Sequence, residues 1–298
     1  MLHPHRLLYG STILALALTM CAKPPASAPE ATADSSASAA PTNPPWFAPI
    51  NGQRVTFQSD GLTLVGYLSK PEGAGPFPAL IRNHGSEHDP KGQQDAPSIF
   101  VTAGYVEFAP LRRGHGDSEG EWIVDSTNNE RTAHGKPAAA QLLVKLMETE
   151  QLDDQLAGLD YLKSLPYVDL NRLGVIGCSY GGIQTLLGAE SEAGYKAAVA
   201  MSPAAESWEG NKPLQDRLIQ AVSGIDIPVF LIHPAHDASL EPGITLGKEF
   251  ERLGKTYQLK IYPEDVGTPK QQEHCFGGPG GTEIWQADVL AFFAQYLH

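Results

Sequence analysis

Basic residues are scarce in this chain. There are 21 Lys and Arg against 34 Asp and Glu in 298 residues, a formal net charge of −13, and no run of Lys or Arg anywhere. That excludes a nucleic-acid surface, and the acidic balance disfavours anionic partners. No apolar run is long enough for a confident membrane span; the longest candidate, 7–20, is a short, mostly apolar stretch behind a weakly basic start at Arg6. No internal repeat is visible. His84, His88 and Asp89 form one group of potential zinc ligands and His233, His236 and Asp237 another, but neither follows a defined zinc motif. The glycines around Arg113 do not have dinucleotide-loop spacing, and no helix directly follows them. No cofactor or metal is implied. What is present is 42% hydrophobic residues, enough for a sizeable core.

The chain divides by composition. Residues 1–21 read as an export signal. Two endings compete: lipidation at Cys21, which follows Leu18-Thr19-Met20 in a lipobox-like context, and ordinary cleavage near Ala22. Residues 22–45 are Ala, Pro, Ser and Thr with almost no large apolar side chain, so they form an expected disordered linker, a membrane tether if Cys21 is lipidated. The folded domain is expected over 46–298, in an exported, periplasmic or extracellular protein.

Within that domain, 54–59 and 62–70 read as two strands around the hairpin signal Asp60-Gly61. Further strands are expected at 78–83, 105–110, 172–177, 196–201, 227–233 and 257–262. A short helix closes at 99–103. One helical stretch runs 138–165 on leucines at three- and four-residue steps, and others cover 243–253 and 282–297. An opening hairpin followed by alternating strands and helices predicts an α/β fold: a mostly parallel, doubly wound sheet of about eight strands with helices on both faces. Ligands bind such a sheet beyond the carboxyl ends of its strands.

Gly177-Cys178-Ser179-Tyr180-Gly181-Gly182 sits between an apolar strand and a helical run. A serine on so tight a strand-to-helix turn needs neighbours nearly free of side chain, which Gly177 and Gly181 supply. Together with Tyr167-Val168-Asp169 and Asn171-Arg172 before it, Asn83-His84-Gly85, and the stretch from Arg113 to Gly120, this segment resembles the α/β-hydrolase superfamily, and within it the dienelactone-hydrolase and prolyl-oligopeptidase-like branch. The resemblance covers about 46–298. Dienelactone hydrolases carry cysteine at the nucleophile position; here serine stands there and the cysteine one residue earlier, which points to esterase or peptidase chemistry. Residues 1–45 leave no room for a propeller domain, so a full oligopeptidase architecture is not expected.

A serine hydroxyl needs a base, and the base an orienting carboxylate. The superfamily's chain order, Ser then Asp or Glu then His, selects Ser179, Asp237 and His274. Asp237 follows the 227–233 strand; it could instead cap a helix, and Glu206 is a rival acid. His274 lies in a Gly-flanked loop before the last helix; in isolation it would be an ordinary loop histidine. The backbone N–H of Tyr180 is the expected oxyanion donor, with a second from Ser86 or its neighbours after the 78–83 strand. Arg113 reads as a structural pin between loops. Cys178 should point away from Ser179, and Cys178 and Cys275 are expected as buried free thiols. The polar segment 119–137 is expected to line or cover the site, and the short stretch 206–226 to leave it open. Trp122 and Trp208 supply either pocket or core. The reading is an exported serine hydrolase acting on a small or accessible ester. The alternatives are a serine peptidase, and a metal-binding or non-catalytic envelope protein on the same fold.

Overall fold

The computed structural model describes residues 52–90, 98–263, 274–277 and 281–297. The signal segment 1–21, the linker 22–45 and the domain start at Trp46 lie outside the described residues. Eight strands form one sheet: β1 (Gln53–Ser59), β2 (Leu62–Ser69), β3 (Phe77–Asn83), β4 (Val106–Pro110), β5 (Val168–Cys178), β6 (Ala197–Met201), β7 (Val229–Pro234) and β8 (Tyr257–Tyr262). Their spatial order is β1-β2-β4-β3-β5-β6-β7-β8. The β1–β2 and β2–β4 pairs are antiparallel and every later pair is parallel. The β1–β2 hairpin closes on Asp60 and Gly61, both at positive φ (47° and 80°), the backbone of a type I′ turn.

Helices alternate with the parallel strands: α1 (Ile99–Thr102), α2 (Ile123–His134), α3 (Lys136–Glu148), α4 (Glu150–Lys163), α5 (Tyr180–Glu190), α6 (Lys212–Gly224), α7 (Glu241–Arg252) and α8 (Gly281–Tyr296). The strands are apolar on both sides, as a sheet covered twice requires. On β6, Ala197, Val199 and Met201 join the layer of Phe100, Trp285 and Phe293 from α1 and α8. Ala198 and Ala200 join the opposite layer, with Leu159, Leu186, Leu218 and Phe250 from α4, α5, α6 and α7. Among the described residues no helix is long and apolar enough to cross a membrane.

The chain departs from the expected elements at two places. The stretch 138–165 is two helices, broken where Thr149 takes φ −114° and ψ −101°. Leucine periodicity persists across that break because both helices lay apolar faces on the same core. The polar segment 119–137 contains α2, a helix with few buried side chains (Ile123 and Thr127). Asp125 in its first turn and Arg131 and His134 in its last match the helix dipole. A helix with so narrow an apolar face leaves almost no periodic signal in sequence.

Buried ion pairs fix the loops beyond the sheet. The Asp154 carboxylate on α4, fully buried, accepts from Ser59 Oγ (2.7 Å) and from Arg113 N (2.8 Å), Nε (2.9 Å) and Nη2 (2.7 Å). Arg113 also reaches Asp60 on the hairpin at 3.2 Å. The structural role expected of Arg113 is the one observed.

Candidate active site

The strand order reverses at β3, which has β4 on one side and β5 on the other. The crevice of such a sheet lies beyond the carboxyl ends at that point. Here those ends are Asn83, continuing into His84-Gly85, and Cys178, continuing into Ser179. Ser179 is the single residue between β5 and α5 and holds φ 57°, ψ −119°, a conformation that non-glycine residues avoid. Its N–H donates to Met201 O at 3.0 Å and its carbonyl accepts from Ile183 N at 3.1 Å, so both sides of the turn are fixed. A Cβ on Gly177 would lie 2.4 Å from Gly181 O, and one on Gly181 2.2 Å from Asn83 O. The steric demand read from the sequence is met in space. The first amides of α5, from Tyr180 onward, have no intrahelical acceptor, which leaves a partly positive N-terminus beside Ser179.

Asp237 follows β7, with its side chain fully buried. Its Oδ1 accepts from His274 Nδ1 at 2.6 Å and from Ala238 N at 2.8 Å; its Oδ2 accepts from His233 Nδ1 at 3.0 Å. Burial alone would raise this carboxyl, but the hydrogen bonds from His233 and His274 together hold it well below the usual carboxylate range. The helix-cap alternative fails, since α7 begins only at Glu241 and its cap position is Leu240. Glu206 is exposed and lies on the other side of the imidazole, Oε2 3.8 Å from His274 Nε2. Asp237, and not Glu206, therefore engages Nδ1. The donated Nδ1–H leaves Nε2 as the ring's basic nitrogen.

His274 stands in a short 3-10 turn, His274–Phe276. The next residue, Cys275, is bonded to Cys178 in a disulfide with Cα atoms 5.8 Å apart. This corrects the expectation of free thiols. Cys178 does point away from Ser179, into the α1 and α8 layer, but Cys275 occupies that layer too. Opposite side-chain directions at 178–179 and 274–275 put the two cysteines together on one side. Ser179 and His274 are each one residue from this link.

The loop after β3 is shaped by Arg112, which the sequence reading passed over for its neighbour Arg113. Its Nη2 donates to the carbonyls of His84 (2.9 Å) and Gly85 (2.8 Å), its Nε donates to Gln151 Oε1 (3.2 Å), and its backbone N–H donates to His84 Nε2 (3.1 Å). The guanidinium lies over the Tyr180 ring at 4.7 Å, and burial lowers its pKa to about 10. Ser86 is exposed, just beyond the two carbonyls that Arg112 holds. Trp208 is buried in the core, the second of the two roles considered for it. Trp122 packs partly buried against the core, edge-on to His88 at 5.0 Å. Among the described residues no group of three or more His, Cys, Asp and Glu is arranged to hold a metal ion.

The sequence pattern of the dienelactone hydrolase family matches residues 64–278. The chain belongs to that family. It is 26% identical over 263 residues to dipeptidyl peptidase 8 of Mus musculus, a match spanning 80% of this chain and 28% of that much longer protein. Among solved structures it resembles the acylaminoacyl peptidase of Pyrococcus horikoshii (TM-score 0.61, 18% identity), over 82% of this chain and 41% of that one. It also resembles Est1E from Butyrivibrio proteoclasticus, described with ferulic acid bound (TM-score 0.56, 20% identity), over 81% of this chain and 98% of that one. These matches support a hydrolase on the α/β-hydrolase fold.

Proposed function

We propose that this protein cleaves carboxylic esters through an acyl-enzyme on Ser179. The observation that carries the reading is the hydrogen bond of 2.6 Å from His274 Nδ1 to the buried Asp237, with His274 chained through Cys275 and Cys178 to Ser179. In this mechanism His274 Nε2 takes the Ser179 Oγ proton as the oxygen attacks the ester carbonyl, and Asp237 stabilises the imidazolium. The tetrahedral oxyanion is held by the Tyr180 N–H and by an N–H of the Arg112-braced loop at Ser86, each donor worth roughly 10²–10³ in rate. His274 returns the proton to the leaving alcohol. Water, activated by the same nitrogen, then attacks the acyl-enzyme and releases the acid and free Ser179.

Ester rather than peptide substrates are favoured because Est1E, described with ferulic acid bound, is matched over 98% of its chain. The peptidase alternative draws on dipeptidyl peptidase 8 and the acylaminoacyl peptidase, both matched over less than half their length. The proposed partner is a small or accessible ester. The disulfide supports export to an oxidising compartment, where such bonds persist. The test is fluorophosphonate labelling of wild type, Ser179→Ala and His274→Ala, alongside matched ester and peptide substrates. Labelling is expected in wild type only, with turnover of the esters. Labelling that survives Ser179→Ala would overturn the mechanism; faster cleavage of the peptides would transfer the assignment to a peptidase.

A further inference from the structure

We propose that the Cys178–Cys275 disulfide is a positioning element for His274, so that catalysis depends on its oxidised state. The inference rests on the serine-hydrolase reading above. The bond joins residues 97 positions apart, each the chain neighbour of a triad member, and both cysteines are nearly inaccessible (3% and 2% exposed). It lies in the α1 and α8 layer, on the other side of the backbone from the serine, so it sets geometry without touching substrate.

The turn it holds is strained. Cys275 (φ 58°) and Phe276 (φ 56°) are consecutive non-glycine residues in the left-handed region, a pairing that persists only where surroundings enforce it. Within the turn, Gly277 N–H donates to His274 O at 3.2 Å, and Phe276 is buried in the α1 and α8 layer. Cys275 N–H reaches Ser202 Oγ at a long 3.4 Å, and the Phe276 ring packs edge-on against Tyr262 at 5.4 Å between centroids. The Asp237 hydrogen bond fixes the imidazole only while the backbone of the turn stays in place. Cutting the bond releases a covalent cross-link between the nucleophile strand and the turn that carries the base. The turn then relaxes out of the left-handed region and His274 leaves line with Ser179.

Reduction by a dithiol is balanced. One thiolate attacks a cysteine sulfur, breaking the S–S bond, forming a mixed disulfide and releasing the other cysteine as a thiolate that takes up a proton. The reagent's second thiol, deprotonated, then attacks the reagent's own sulfur in that mixed disulfide, closes the ring and displaces the first cysteine. Two protein thiols and one cyclic disulfide result, the two electrons coming from the dithiol.

The experiment uses the full chain, oxidised or reduced with dithiothreitol without denaturant, with mass spectrometry after maleimide treatment confirming two additional thiols. Fluorophosphonate labelling rate, ester kcat and KM, and near-UV circular dichroism are measured on both forms. On reduction, kcat and the labelling rate are expected to fall about 100-fold, the scale of an ångström misplacement, with KM within about threefold. The near-UV spectrum is retained, and activity returns on reoxidation. Cys178→Ala/Cys275→Ala should match the reduced form. Reduced protein that labels and turns over at the oxidised rate would overturn the inference. So would loss of the near-UV spectrum in step with activity, which would assign the bond to stability alone. Oxidised wild type that fails to label would instead sink the serine-hydrolase reading beneath it.

Discussion

His233 should control the acid of the proposed triad. It donates from Nδ1 to Asp237 Oδ2 at 3.0 Å, and both side chains are fully buried. Its Nε2 has no hydrogen-bond partner among the described residues. The ring is closely confined, since a Cβ on Gly243 would come within 2.6 Å of it. His233→Ala removes a hydrogen bond to a buried charge, about 1.5–3 kcal/mol, and leaves a cavity costing about 1 kcal/mol more. The expected destabilisation is therefore about 2.5–4 kcal/mol, read from the urea midpoint. His233→Asn keeps an N–H donor and should recover about half of that loss. The pH consequence has a definite sign. Two hydrogen bonds depress Asp237 against the opposing effect of burial, so losing one raises its folded pKa. A depressed carboxylate contributes stability above its unfolded pKa and loses it as pH falls through the folded value. In the variant that loss comes at a higher pH, read as an acid-unfolding midpoint moved upward. Displacement of Asp237 should also lower kcat about 10- to 100-fold near neutral pH. A His233→Ala protein within about 0.5 kcal/mol of wild type, with an unmoved acid-unfolding midpoint, would refute the reasoning.

Three further outcomes are expected. Gly181→Ala places a Cβ 2.2 Å from Asn83 O, backbone that cannot swing aside, so it should cost about 3 kcal/mol and abolish fluorophosphonate labelling even in the folded fraction. Asp154→Ala leaves the Arg113 guanidinium only its outer partners Asp60 and Glu150, and should destabilise by about 3 kcal/mol in urea melts while leaving KM of the folded protein unchanged. His115 is fully buried beside Arg112, and burial first, then that charge, lowers its pKa from 6.5 to about 3. The unfolded chain thus binds a proton that the folded one refuses between these values. Stability is full above pH 6.5 and falls toward pH 3, by about 5 kcal/mol across the window, and His115→Gln should flatten that slope in melts at stepped pH.

What the sequence disclosed and what it hid divide by the range of the interaction. The eight strands were legible because period-2 and continuous apolar runs are local, and the tight turn at Ser179 because Gly177 answers a clash with Gly181 four residues on; the clash Gly181 answers is with distant Asn83 and needed the fold. The choice of Asp237 over Glu206 needed space as well as order: both follow strand ends, and only the hydrogen bond to His274 Nδ1 separates them. Arg112 and Arg113 are adjacent in sequence and opposite in direction, one toward loop carbonyls and the other toward Asp154, a distinction that backbone geometry alone creates. The disulfide was missed by an argument that was half right. Cys178 does face away from the serine, but Cys275 lies in the same α1 and α8 layer. The two proposed catalytic residues here carry chain neighbours that meet behind them. A cysteine next to the nucleophile and another next to the base therefore form a natural pair, and that pairing could have been read from Cys178-Ser179 and His274-Cys275 once the triad was assigned.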